Sequence, residues 1–182
     1  MIKTKEDLKE YLEKEKDVYN TKKEKLVDIL TGDVHVQIYK FIVLLRKTEY
    51  YHNNMEKNLI NKVLYIYYRH RKNRCGIKLG IEIWDNTFDS GLKIYHAGNI
   101  VVNGMSKIGK NCKLHGDNCI GNNGKTLQSP TIGNNVRLGV GAKVIGNIEL
   151  ADNITVAAGA VVIHSFKEQG ITVAGVPAKK VK

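Results

Sequence analysis

From Val102 to Val162 an aliphatic residue returns at every sixth position. The series is Val102, Ile108, Leu114, Ile120, Ile132, Leu138, Val144, Leu150, Val156 and Val162, and only Thr126 interrupts it. Helices repeat near 3.6 residues and strands near 2, so a sustained period of six fits neither alone. It predicts a solenoid whose turns have three flat faces of six residues each. The residue after the aliphatic one is often small: Gly109, Gly121, Gly133, Gly139, Ala151 and Ala157. The residue two before it is small or apolar: Cys112, Val136, Ala142, Ile148, Ile154 and Ala160. Stacking the turns predicts one continuous interior column of aliphatics.

Residues 1–74 follow another rule. Glycine is nearly absent and apolar residues fall at helical spacing. Leu8, Tyr11 and Leu12 mark a first helix over 5–19. Val36, Ile38, Tyr39, Ile42 and Val43 mark a buried one over 34–45, and Leu59, Ile60, Val63, Leu64 and Tyr67 one over 55–70. Gly32-Asp33 reads as a break and N-cap. Three or four helices are expected, with the change of composition at Cys75-Gly76. The solenoid is expected from about Gly76 to about Ile163. Within it, Gly121 to Pro130 is polar and rich in turn formers, and reads as a loop leaving the scaffold.

The chain has 182 residues and a formal charge of +11. The charge fits solubility or attraction for an anionic ligand. The basic run from Arg69 to Arg74 sits where a helix C-terminus is expected, which favours cations without any partner. It gives no reason to invoke nucleic acid. No run of about 20 apolar residues is present for a membrane span. The first ten residues are charged where a signal peptide needs an apolar core, so a cytoplasmic protein is expected. The three cysteines, Cys75, Cys112 and Cys119, contain no C-x-x-C pair. They indicate neither a disulfide framework nor a metal site. No basic neighbour marks Cys112 or Cys119 as an activated thiolate.

The run Ile132-Gly133-Asn134-Asn135-Val136-Arg137-Leu138 and the closing Ala174-Gly175-Val176-Pro177-Ala178-Lys179 resemble the left-handed β-helix acyltransferases. Tyr95-His96-Ala97-Gly98-Asn99-Ile100-Val101-Val102, followed by Ile108-Gly109, resembles the serine acetyltransferases and their relatives in surface-polysaccharide biosynthesis. The resemblance covers roughly residues 76–182. It implies a mainly β fold: a left-handed parallel β-helix of hexapeptide repeats behind a small α-helical N-terminal region. The expected division is 1–74 for packing and oligomerisation and 75–182 for the acetyltransferase domain. It also implies acetyl-CoA as co-substrate, no metal, and a homotrimer with sites between neighbours. A dimer of trimers is the larger alternative.

Transfer of acetyl to an alcohol needs a base, and histidine suits pH 7. His96 stands where these enzymes keep theirs, before the small Ala97-Gly98 pair. His115 is the rival, expected at a turn and facing outward. Serine acetyltransferases place an aspartate fifteen residues before the base. Here Glu82 stands fourteen before, with Asp85 and Asp89 as alternatives. The resemblance puts acetyl-CoA beside Gly121, Gly139, Val140, Ala157 and Ala158, with Lys143, Lys179 and Lys180 near its phosphates. Backbone amides near Gly121-Asn122 would hold the oxyanion, and no covalent intermediate is expected.

The acceptor contacts depart from serine acetyltransferases. Tyr95 replaces an acidic residue before the base, and Gln128-Ser129-Pro130 replaces Arg-His-Pro. A free amino acid wants charged partners. Tyr95, His115, Gln128 and Ser129 suit a sugar hydroxyl better, so a saccharide acceptor of surface-polysaccharide biosynthesis is the first expectation. L-serine is the alternative. A non-catalytic scaffold, or a module binding an anionic polymer with steep salt dependence, are readings of other classes.

Overall fold

The computed structural model describes residues 1–19 and 26–182. Four helices come first: α1 (Lys5–Tyr19), α2 (Leu26–Thr31), α3 (Val34–Asn54) and α4 (Leu59–Leu79). Asp33 caps α3 as expected, accepting the His35 N–H. Helix α4 runs past the expected boundary at residue 74 and ends at Gly80, which takes a left-handed conformation. Cys75-Gly76 is therefore inside a helix. Gly76 is needed there for close approach, since a Cβ would lie 2.4 Å from the Ile81 carbonyl oxygen. The run Arg69–Arg74 is mid-helix rather than terminal, so the helix-dipole account of it fails. Arg69 and Arg71 instead bond the hydroxyls of Tyr65 and Tyr67, one turn back.

Behind the helices the chain winds into a three-faced parallel β-helix. The first face stacks β1 (Ile81–Ile83), β3 (Ile100–Val102), β6 (Cys119–Gly121), β9 (Lys143–Ile145) and β12 (Val161–Val162). The second stacks β4 (Lys107–Ile108), β7 (Thr131–Ile132) and β10 (Glu149–Leu150). The third stacks β2 (Lys93–Ile94), β5 (Lys113–Leu114), β8 (Arg137–Leu138), β11 (Thr155–Val156) and β13 (Thr172–Gly175). It is closed by the antiparallel β14 (Ala178–Lys180).

The period of six feeds three interior columns rather than one. Val102, Ile120, Val144 and Val162 line the first face, Ile108, Ile132 and Leu150 the second, and Leu114, Leu138, Val156 and Val173 the third. All are buried. The second set, from Cys112 to Ala160, is buried as well and fills the space beneath the corners. Thr126 belongs to no column. Ile120 belongs to a strand of the first face and Ile132 to the next strand of the second, so the exposed residues 123–128 are an insertion one repeat long. The phase survives because the insertion has the repeat's own length.

The helices grip the first turn of the β-helix. Arg46 is fully buried and bonds Glu15 at 2.7 and 3.0 Å, Glu49 at 3.0 Å and the carbonyl oxygens of Phe88 and Asp89. The Tyr19 hydroxyl accepts the Ile94 N–H at 2.9 Å, closing the open edge of the third face.

Candidate active site

His96 lies where the chain turns from the third face to the first. It follows β2, and its side chain is exposed. Two glycines clear the space around it. A Cβ on Gly116, in the turn beneath, would come within 3.2 Å of the His96 Cβ, and the Gly116 φ of +107° already disfavours a side chain. Beside it, Gly98 has nothing within 4 Å of its missing Cβ. An imidazole standing free at this edge can accept a proton from a group placed against it.

Tyr95 and His115 are successive rungs of the same edge, and their rings stack with centroids 4.3 Å apart and planes 14° from parallel. His115 is half-buried and accepts the Arg137 Nε–H on Nε2 at 2.9 Å. Burial, followed by the charges of Arg137, His96 and Lys113, holds the His115 imidazole below its ordinary value. A neutral ring accepting at Nε2 carries its proton on Nδ1.

The same edge continues through Gly139 and Val140, then Ala157 and Ala158. Gly139 N–H bonds the Val156 carbonyl and Ala157 N–H that of Val173. A Cβ on Gly139 would be 2.6 Å from Ala158 N, so the turns stack closely here and the backbone stays near the surface. Lys179 lies opposite Ala174 in the terminal hairpin, at the end of this column. The structure thus brings together Tyr95, His96, His115, Gly139, Val140, Ala157, Ala158 and Lys179.

Other candidates lie apart. Lys143 projects from the first face in register with Cys119 and Val161, and its Nζ donates to the Gly141 carbonyl. Lys180 pairs with Glu168 at 2.6 Å. Glu82 is on the first face, opposite Val101, and lines a groove of about 770 Å³ beneath α4 with Arg69, Lys72 and Trp84. Among the described residues no hydrogen bond or ion pair joins Glu82 to His96. Asp85 is held by Lys72 at 2.5 Å and lies 3.3 Å from His52. Asp89 accepts the Tyr11 hydroxyl at 2.5 Å. Both alternatives to Glu82 therefore tie the helices to the β-helix.

Gly121, Gln128 and Ser129 occupy the next edge, across the first face from His96. Gly121 and Ser129 are buried, and Ser129 Oγ donates to Asn103 Oδ1 at 3.1 Å. Gln128 is exposed. Within one chain this edge does not meet His96. Cys112 is fully buried and its thiol is pushed up to about 12, while burial also raises that of Cys119. No group of three or more potential metal ligands exists among the described residues. No helix among them is long and apolar enough to cross a membrane.

Arg137 is the site residue that sequence reasoning missed. Lys93, Lys113 and Arg137 follow one another at 20 and 24 residues, neither of them the regular eighteen, and only the longer interval contains the inserted loop. The alignment of the three appears only when the strands are in register.

No family model matches the chain. It is 33% identical over 103 residues to the serine acetyltransferase of Synechococcus elongatus, covering 55% of this chain and 42% of that protein. It is 29% identical over 156 residues to that of Buchnera aphidicola subsp. Acyrthosiphon pisum, covering 84% of this chain and 54% of that one. The chain thus spans about half the length of the curated relatives it matches. A solved serine acetyltransferase from Brucella abortus, in complex with coenzyme A, superposes with a TM-score of 0.76 at 23% identity, over 97% of this chain and 68% of that one. The chain is therefore similar in sequence to serine acetyltransferases and shares their fold, a left-handed parallel β-helix behind N-terminal helices.

Proposed function

We propose that the chain is an acetyl-CoA-dependent O-acetyltransferase of the serine acetyltransferase type, with His96 as general base. The observation that carries this reading is the column of small residues running from the exposed His96 to Lys179. A long, thin cofactor laid along that edge meets backbone and small side chains, with its reactive end at the imidazole. The likeness to a serine acetyltransferase solved with coenzyme A supports the same donor.

In this mechanism His96 takes the proton of the acceptor hydroxyl as its oxygen attacks the thioester carbonyl. The tetrahedral intermediate collapses with loss of the coenzyme A thiolate, which recovers the proton from the imidazolium. Glu82 is assigned the orienting role, which requires its side chain to turn from the groove toward His96. Gly121-Asn122, Gln128 and Ser129 reach His96 from the edge of a second copy, so the reading includes a homotrimer.

The similarity to serine acetyltransferases supports L-serine as the acceptor. A saccharide hydroxyl is favoured by one specific observation, the Tyr95–His115 stack beside His96, which offers an aromatic platform to a sugar ring. Thiol release from acetyl-CoA, with L-serine against free and nucleotide-linked sugars, separates the two. No thiol release with any acceptor, together with no binding of acetyl-CoA in calorimetry, leaves a scaffold.

A further inference from the structure

The third face carries a row of cations that the transfer mechanism does not use. Lys93, Lys113 and Arg137 are outward residues of three adjacent strands, paired in direct register. Parallel neighbours lie about 4.8 Å apart, and like charges set opposite one another are destabilising. Among the described residues no carboxylate forms an ion pair with any of the three. Asp117, at the corner that follows, is exposed and pairs with none of them. The other faces do not repeat this: the second sets Lys107 and Glu149 either side of Thr131, and the first mixes Glu82, Val101, Cys119 and Lys143.

Two of the three cations are also positioned. The Lys93 ammonium sits 4.0 Å from the Tyr19 ring centroid and 5.8 Å from that of Tyr95, half-buried between two aromatic faces. Arg137 is anchored through Nε to an imidazole and not to an acid. Its two terminal nitrogens make no hydrogen bond among the described residues, which leaves an end-on fork of the geometry that carboxylates and phosphates accept. Lys113 lies between the two. The row runs beside the Tyr95–His115 stack, two residues along the same strands, and so near His96.

We infer that Lys93, Lys113 and Arg137 form an oxyanion-binding row that holds a carboxylate or phosphate of the acceptor while its hydroxyl lies against His96. The inference rests on the acetyl-transfer reading for the identity of the ligand, and not for the existence of the anion site. It supplies the charged contact that Tyr95, Gln128 and Ser129 lack. The chemistry is shared by the carboxylate of L-serine, that of a uronic acid and the phosphates of a nucleotide-linked sugar. A neutral free sugar lacks it.

Two measurements test this. Inorganic phosphate is titrated into the full chain at constant pH and ionic strength, following the His115 ring resonance by NMR. The expected result is a saturable shift in the wild type, weakened about tenfold in Lys113→Gln and in Arg137→Gln, the size of one charge-assisted contact. Unsaturating drift of equal slope in all three proteins overturns the site, whether or not the enzyme turns over. With acetyl-CoA, the same variants are expected to raise KM for the anionic acceptor about tenfold and leave KM for acetyl-CoA unchanged. A rise in KM for acetyl-CoA alone overturns the assignment to the acceptor, since the row then serves the donor's phosphates. Turnover of a neutral sugar in preference to L-serine, a uronic acid and a nucleotide-linked sugar overturns it as well. If the wild type turns over no acceptor, the transfer reading fails while the phosphate titration still decides the site.

Discussion

Tyr95 and His115 come from consecutive turns of the β-helix and stack at 4.3 Å, so the residue before His96 is fixed by the turn below it. The contact ties the strand end that carries His96 to a ring that is itself bonded to Arg137. Burial, and after it the Arg137 charge, are expected to make His115 titrate below the ordinary 6.5. The fold favours its neutral form, so its contribution to stability is full above the unfolded value. That contribution is lost as pH falls through 6.5 toward the lowered folded value. Arg137→Met should move the His115 midpoint upward, and an NMR titration of the ring protons reads it directly.

Arg46 joins α1, α3 and the first turn of the β-helix from a fully buried position. Arg46→Met leaves the carboxylates of Glu15 and Glu49 buried without their cation. Removal of one member of such a network typically costs about 3–5 kcal/mol. Urea denaturation of the variant should show a loss of that order, and a loss below about 1 kcal/mol, the scale of an exposed pair, contradicts the account.

Leu138 and Thr126 separate the interior columns from the inserted loop. Leu138→Ala should destabilise by about 2–5 kcal/mol, as a buried leucine does. Thr126→Ala, although it stands on the same sixfold phase, should change stability by no more than about 0.5 kcal/mol. Equal effects in thermal or urea unfolding mean that residue 126 is an interior position.

Cys112 is buried at a corner with its thiol raised to about 12. It should resist alkylation at pH 8 until the chain unfolds. Reaction of all three cysteines at the rate of a free thiol, in native buffer, contradicts a packed interior at that corner.

The columns were legible because a buried aliphatic every six residues has no other periodic explanation. The N-cap at Asp33 and the loop around Thr126 were legible through residues whose local chemistry is strong. The end of α4 was not, because Gly76 marks the change of composition in sequence and serves as a close contact with Ile81 in space. The placement of Lys93, Lys113 and Arg137 was hidden because neither interval between them is the eighteen residues of one regular turn, the longer one carrying the inserted loop. The distance from His96 to Gln128 and Ser129 was hidden for a further reason. Both segments belong to the same stretch of repeat, yet one corner separates the third face from the first and the other the first from the second.

The proposed transfer requires the exposed imidazole at the head of the small-residue column to take the acceptor's proton. The most direct measurement is thiol release from acetyl-CoA by the wild type and by His96→Ala, at saturating donor and with the acceptor that the wild type uses. Loss of a positioned general base predicts a fall in kcat of about 10²–10⁴-fold with little change in KM for acetyl-CoA. A variant that keeps the wild-type rate contradicts the assignment of His96.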